Sequence, residues 1–227
     1  MERVPTGIAG LDEMLNGGFI KNRHVVVCGG PGTGKTSMGY EFLYKGAKDQ
    51  GDKGLFISLE QSPDRVVAGA KALFEKWDWD KMLKENKILI TRLDRDDFAN
   101  LPEVIESYVK TKEVRRVVID SCTLLQLYFR NEDSYRNIMY ELLEFFSSLD
   151  CNVLMTAERS HTKRGESSFG MEEFIADGVV MLYSIPKDNK RFTAVEILKM
   201  RDTSHSTNLV PFKITKDGII VYPNESI

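Results

Sequence analysis

The sequence predicts an α/β fold, in which helices flank a mainly parallel sheet and antiparallel strands extend it. Short apolar runs alternate with longer amphipathic stretches up to about residue 178, as in strand–helix–strand units. These runs alternate little with polar residues, which is expected where helices cover both faces of a sheet. Beyond residue 178, apolar runs follow one another with only turn residues between them, which favours antiparallel strands.

Five apolar runs are predicted as the parallel strands: Val25–Cys28, Leu55–Leu59, Lys87–Thr91, Val117–Asp120 and Val153–Thr156. Three amphipathic stretches are predicted as helices. The apolar face of the first carries Val66, Ala70, Leu73, Phe74 and Trp77, and that of the second carries Val104, Ile105, Tyr108 and Val109. The apolar face of the third carries Tyr135, Ile138, Met139, Leu142, Phe146 and Leu149. Ser62 is a good N-cap for the first helix, and the second begins near Pro102. The antiparallel strands are predicted at Val179–Tyr183, Phe192–Met200 and Ile219–Tyr222, with tight turns at Lys187–Asn189 and Lys216–Gly218.

Length and composition predict one domain that covers residues 1–227, because a chain of 227 residues suffices for a single well-buried α/β core. The formal net charge of −3 argues against a protein that coats nucleic acid. The sequence has no apolar stretch of membrane-spanning length and does not begin like a signal peptide, so we expect a cytoplasmic protein that does not enter membranes. Cys28, Cys122 and Cys151 form no metal-ligand pattern and are interpreted as small core residues.

The strongest motif is a phosphate-binding loop. Residues 29–36 read G-G-P-G-T-G-K-T and match G-x-x-x-x-G-K-[ST], between a predicted strand and a predicted helix. This context disfavours the alternative of a glycine turn that matches by chance. Lys35 is expected to reach the β- and γ-phosphates of ATP, and the Thr36 hydroxyl to ligate Mg²⁺. The residues predicted to bind the nucleotide here are Gly30, Pro31, Gly32, Thr33, Gly34, Lys35, Thr36 and Ser37.

Two acidic residues end predicted strands. Asp120 closes R-R-V-V-I-D and is predicted to hold the magnesium ion, although a lone acid there is more often a turn or cap residue. It is followed by Ser121, not by the glutamate that many ATPases of the AAA type have there. Glu60 follows the strand after the phosphate-binding loop, where it could activate the attacking water. From position alone, Glu60 could equally begin a turn before the next helix.

Further segments resemble the KaiC-like branch of the RecA/RadA superfamily, in its single-domain form. They read P-T-G-I-A-G-L-D-E-M-L-N-G-G at residues 5–18, S-L-E-Q-S-P at 58–63, V-V-I-D-S at 117–121, M-T-A-E-R at 155–159, M-E-E-F-I-A-D-G-V at 171–179 and I-L-K-M-R-D-T-S-H at 197–205. The resemblance covers nearly the whole chain. It implies a RecA-like core and a Mg²⁺-dependent ATPase that forms rings, generally hexamers, with ATP between neighbouring subunits.

The resemblance also implies roles for single residues. Glu60 corresponds to the family's catalytic base, while Gln61 replaces the second acid of the usual pair. Lys199 and Arg201 correspond to a K-x-R element that reaches the neighbouring subunit's γ-phosphate; without the resemblance, they would be interpreted as solvated bases at a strand end. Thr203 and His205 match further nucleotide contacts, and Asp202 stands where the family usually has glycine.

Four functions compete at this point. The first is a homo-oligomeric ATPase that acts as a regulatory or signalling switch, with Glu158 and Arg159 sensing the γ-phosphate rather than forming a surface ion pair. The second is a nucleotide-gated binding module with little turnover. The third is an ATPase associated with single-stranded DNA through the stretch Arg159–Gly170, which more often would be a solvated loop. Autokinase activity is disfavoured, because Glu173 and Phe174 stand where the family's clock proteins have hydroxyl residues that accept phosphate.

Overall fold

The computed structural model describes residues 1–129, 131–159, 175–187 and 190–227, and contains the predicted α/β architecture. The strands are β1 (Arg3–Val4), β2 (Phe19–Ile20), β3 (His24–Gly29), β4 (Lys53–Ser58), β5 (Ile88–Arg92), β6 (Val114–Asp120), β7 (Asn152–Glu158), β8 (Gly178–Lys187), β9 (Lys190–Met200), β10 (Val210–Thr215) and β11 (Gly218–Val221). Nine of them form one sheet in the order β11-β10-β9-β8-β3-β7-β6-β4-β5, and β1 pairs with β2.

Helices cover both faces of this sheet. They are α1 (Leu11–Met14), α2 (Lys35–Lys45), α3 (Pro63–Leu73), α4 (Trp79–Lys84), α5 (Leu101–Lys112), α6 (Cys122–Tyr128) and α7 (Glu132–Ser148). Alternate side chains of β3 enter two different apolar cores: Val25 and Val27 pack in the core with α2, α3 and α4, and Val26 and Cys28 in the core with α5, α6 and α7. This two-sided burial explains why the parallel strands are apolar throughout.

The five runs predicted as parallel strands are confirmed as β3 to β7, with small shifts at their ends. The prediction that the strands beyond residue 178 are antiparallel is wrong for one of the two neighbours of β8. This strand pairs parallel with β3 and antiparallel with β9, so it is the strand at which the sheet changes direction. The sequence analysis missed β10, which pairs with β11 across the predicted turn at Lys216–Gly218. Of the other predicted turn, residues 188 and 189 lie outside the described residues.

The first predicted helix is too long. Helix α3 ends at Leu73, so Phe74 and Trp77 do not extend its apolar face. They form an aromatic stack instead, with ring centroids 4.0 Å apart, and Trp77 also stacks on Tyr44 of α2 at 4.4 Å. Ring stacking thus buries the same residues without a further helical turn.

Across the parts of the chain that the structure describes, no helix combines the length and the apolar character needed to cross a lipid bilayer. The three cysteines are buried, as predicted, and burial raises the pKa of the Cys151 thiol to about 12.

Candidate functional site

The phosphate-binding loop connects the central strand β3 to helix α2. Gly32 and Gly34 have φ angles of 72° and 102°, in the left-handed region that glycine adopts without strain. Gly29 has no room for a side chain, since a Cβ atom there would lie 2.6 Å from the Thr33 hydroxyl oxygen. The loop therefore has the close backbone wrapping that a phosphate cradle needs, and the N-terminus of α2 adds its partial positive charge.

The Lys35 ammonium group lies inside this loop. Its side chain is buried, and Nζ donates hydrogen bonds to the carbonyl oxygens of Gly29 and Gly30, both at 2.9 Å. Burial lowers the pKa of Lys35, while the carboxylates of Glu158 and Asp120 act in the opposite direction. A cation held this way by neutral carbonyls can exchange them for phosphate oxygens, which bind a cation more strongly.

Thr36 and Asp120 meet as the sequence predicts. The Thr36 hydroxyl donates to Asp120 Oδ2 at 2.9 Å, and the hydroxyl of Thr156, on the adjacent strand β7, donates to Asp120 Oδ1. Hydroxyl and carboxylate oxygens are suitable ligands for Mg²⁺, directly or through water, so these residues fit the ion. Bound there, magnesium would neutralise charge on the phosphates.

Glu60 follows β4 in a turn rather than ending the strand. The Ser58 hydroxyl oxygen accepts hydrogen bonds from the backbone N–H groups of Glu60, at 3.3 Å, and Gln61, at 2.8 Å. The Glu60 side chain is exposed and lines the same cleft as the phosphate-binding loop. The two interpretations of Glu60 are therefore compatible, because a residue in this turn also lines the cleft.

The cleft has a volume of about 480 Å³ and is lined by residues from six parts of the chain, four of which contain predicted site residues. Besides the phosphate-binding loop, it is lined by Glu60, Gln61, Leu73, Asp120, Ser121, Glu158 and Ile214. The sequence analysis missed Leu73, Ile214 and Thr156 as members of the site. A hydroxyl residue within the apolar run of β7 was a usable signal for Thr156, whereas the two apolar residues look like any core positions.

Glu158 ends β7 at the edge of the cleft. Its N–H donates to the Thr123 hydroxyl at 2.8 Å, and the N–H of Arg159 donates to the Gly29 carbonyl at 3.1 Å. The backbone after β7 is thus tied to the start of the phosphate-binding loop, while the sensing role stays a prediction. Residues 160–170, which include most of the proposed single-strand loop, and residues 173 and 174 lie outside the described residues.

Lys199, Arg201, Thr203 and His205 do not join this cleft. Strand register shows why: Gly178 pairs with Val25 at the start of β3 and also with Met200, while the phosphate-binding loop follows Gly29 at the other end of β3. The four residue-to-residue steps from Val25 to Gly29 span about 13 Å at the usual rise of a strand. The K-x-R element therefore lies at the opposite end of the sheet from its own phosphate-binding loop.

The loop after β9 is tied to the N-terminal segment. Arg3 donates to the Thr203 hydroxyl, Asn16 donates to the Ser204 carbonyl at 2.9 Å, and Ser206 N–H donates to the Met14 carbonyl at 2.9 Å. Asp202 has a φ of 61°, which explains why glycine suits this position and how aspartate can still occupy it. Burial, followed by the charge of Arg201, lowers the pKa of Lys199.

Comparison with known proteins agrees with this geometry. A family model described as ATPase: KaiC matches residues 4–226. The chain belongs to this family. A UPF0273 protein of Thermotoga maritima is 34% identical, and the match covers 99% of this chain and 98% of that protein. A UPF0273 protein of Methanocaldococcus jannaschii is 32% identical with the same coverage.

The circadian clock oscillator protein KaiC of a Nostoc species is also similar, at 30% identity over 98% of this chain. Only 44% of the clock protein is covered, so the present chain spans slightly less than half of that relative. Membership in the KaiC ATPase family implies ATP binding.

Proposed function

We propose that the protein is a Mg²⁺-dependent ATPase that works as a homo-oligomeric ring, generally a hexamer, and acts as a regulatory or signalling switch. Each copy of the single domain, residues 1–227, would form one subunit. One subunit supplies the phosphate-binding loop, Asp120 and Glu60, and its neighbour supplies Lys199 and Arg201, with Thr203 and His205 as further contacts.

The separation of the two sets of residues supports this proposal most strongly. Arg201 follows the end of β9, beside the start of β3, whereas the phosphate-binding loop follows the opposite end of β3. An arginine side chain cannot cross that distance, so Arg201 can act only on a nucleotide held by another copy. A head-to-tail interface that presents Arg201 to the next cleft closes naturally into a ring.

The residues of the cleft fit a division of labour in hydrolysis. Lys35 and the N–H groups of the loop hold the phosphates, while Thr36 and Asp120 hold the metal ion. Glu60 is placed to accept a proton from the attacking water, and the positive charge of the neighbour's Arg201 stabilises the charge that develops in the transition state. ATP hydrolysis then requires that the subunits assemble, and this requirement suits a regulatory switch.

A subunit-mixing experiment tests the shared site. The variants Glu60→Gln and Arg201→Ala are purified, shown to be inactive alone, and mixed in equal amounts under conditions of subunit exchange. If subunits assemble at random, about a quarter of the sites are restored. A restored site needs an intact Glu60 from one subunit and an intact Arg201 from its neighbour, and each of these is present in about half of the subunits. Glu75→Gln and Arg115→Ala are the matched controls, since both residues form ion pairs outside the cleft and outside the K-x-R element.

The outcomes separate the candidate functions. Recovery to about a quarter of the wild-type rate supports the shared site. If the mixture stays inactive although subunits exchange, Arg201 does not act between subunits and the proposal fails. If the wild type itself does not hydrolyse ATP, a nucleotide-gated binding module becomes the better description, and Gln61 in place of the second acid would favour it.

A further inference from the structure

Asp177 is a buried carboxylate directly before β8, and it contacts Arg201 twice. Only 3% of the residue is exposed. Its carbonyl oxygen accepts a hydrogen bond from Arg201 N–H at 2.8 Å, and its Oδ1 atom lies 3.6 Å from Arg201 Nη1. A buried carboxylate is costly unless cations or donors compensate it, so this arrangement constrains Arg201 through both its backbone and its side chain.

Arg23, just before β3, joins the same cluster. Its Nη1 atom lies 3.7 Å from Asp177 Oδ2, and its Nη2 donates to Asp202 Oδ2 at 3.0 Å. His24 Nδ1 lies 3.3 Å from Asp177 Oδ2, and burial lowers the pKa of this imidazole. We call Arg23, Asp177 and Asp202 the clamp, because their contacts hold Arg201 and the residue that follows it.

The clamp leaves much of the Arg201 side chain at the surface. This side chain is 47% exposed, so it is accessible to another copy of the protein. A long, flexible cation that is already oriented loses less conformational entropy when it meets its target. Misplacement by about 1 Å can reduce a rate by about 100-fold, so such orientation has a large effect on turnover.

We propose that Asp177, together with Arg23, is a positioning residue that orients Arg201 toward the nucleotide of the neighbouring subunit. This inference rests on the proposed function, since it assigns Asp177 to the half-site that a subunit offers to its neighbour. Asp177 lies beside the start of β3, at the opposite end of that strand from its own phosphate-binding loop, and does not line the cleft.

The variant Asp177→Asn tests whether Asp177 acts in the half-site that contains Arg201. This variant keeps the size of the side chain and removes its charge. We expect its ATPase rate to fall by ~10- to 100-fold while ATP binding to its own cleft is unchanged. Mixed with Glu60→Gln, it should recover toward a quarter of the wild-type rate, as Arg201→Ala does; mixed with Arg201→Ala, it should not recover.

Several outcomes overturn the inference. A wild-type rate for Asp177→Asn would show that the carboxylate does not orient Arg201. An inactive variant that fails to recover with Glu60→Gln, while Arg201→Ala recovers, would show a general structural defect. If Arg201→Ala also fails to recover, the proposed shared site itself is wrong, so the two failures are distinguishable.

A second variant keeps the inference testable if Asp177→Asn does not fold. Arg23→Ala removes the surface side of the clamp, where the side chain is 34% exposed. It should show the same class of defect as Asp177→Asn in both mixtures, with a smaller loss of rate. Arg115→Ala is the matched control, since Arg115 is 42% exposed and pairs with Asp150. Its rate should equal that of the wild type, and a wild-type rate for Arg23→Ala as well would contradict the clamp.

Discussion

Glu41 offers the most quantitative prediction about stability. It lies on α2, only 2% of it is exposed, and its Oε2 atom accepts a hydrogen bond from Ile219 N–H of β11 at 2.6 Å. Burial raises the pKa of Glu41 to about 8, although the Ile219 N–H group and Lys45 favour the charged form. The carboxyl group is therefore mostly protonated at neutral pH. The change to test is Glu41→Gln, which has nearly the same shape and cannot ionise.

The sign of the pH dependence follows from proton binding. Because the pKa is higher in the folded state, the folded protein holds a proton between about pH 5 and 8 that the unfolded chain has lost. The associated stability is fully present below the unfolded pKa and is lost as the pH rises through the folded pKa. The free energy of unfolding falls by about 1.4 kcal/mol per pH unit in this window. An increase in pKa from 4.5 to about 8 gives about 5 kcal/mol as the upper limit.

Urea denaturation at several pH values between about 5 and 9 measures this effect. The free energy of unfolding of the wild type should fall relative to that of Glu41→Gln across this range, with the difference levelling off above about pH 8. His24 has a lowered pKa and adds the opposite trend, but it is present in both proteins and cancels in the difference. Glu75→Gln is the control. If the difference between wild type and Glu41→Gln does not change with pH, Glu41 is ionised in the folded protein and the reasoning is refuted.

Three further substitutions test the cleft. Lys35→Ala should abolish ATP binding in equilibrium dialysis, and retained affinity would contradict its contact with the phosphates. Gly34→Ala should lower the free energy of unfolding by about 1 kcal/mol or more, because its φ of 102° is strained for any residue with a Cβ atom. Ile214 Cδ1, near the new methyl carbon, ends a flexible side chain and can move aside, so Gly51→Ala, with a φ of 77° in open space, is the matched comparison for backbone strain; a Gly34→Ala melting temperature equal to that of the wild type would refute the argument. Thr156→Val removes the hydroxyl bonded to Asp120 and should raise the Mg²⁺ concentration needed for half-maximal hydrolysis; an unchanged Mg²⁺ titration would exclude that role.

The sequence was sufficient for the parts of the molecule that depend on local pattern. Apolar runs identified β3 to β7 because burial on both faces leaves little room for polar residues. The phosphate-binding loop was recognisable because its conformation and its ligand restrict nearly every position. Lys35, Thr36 and Asp120 were expected to lie close together, because parallel strands end at the same edge of the sheet.

Contacts between distant parts of the chain were not predictable. The antiparallel pair of β1 and β2 has only two residues in each strand, which is too few to produce a periodic hydrophobic pattern in the sequence. Arg3 meets Thr203 across 200 positions of the sequence, and nothing near either residue indicates the pairing. Asp177 also gave no signal of its own, since an aspartate before a strand is usually a turn residue. Its surroundings became apparent only when β3, β8 and β9 lay side by side.

Strand β3 sets the distance between the clamp at its start and the phosphate-binding loop at its end. Arg23, just before its start, belongs to the clamp, His24 at its start contacts Asp177, and Gly29 at its end opens the phosphate-binding loop. The strand is hydrogen-bonded on both sides, to β7 and β8, so it cannot slide or lengthen without breaking two ladders. In an assembly of identical copies, the spacing between the phosphates that a subunit receives and the guanidinium that it offers is therefore constant. In the ring that we propose, neighbouring subunits would then adjust to one another by rotation at their interface, while this spacing within each subunit stays the same.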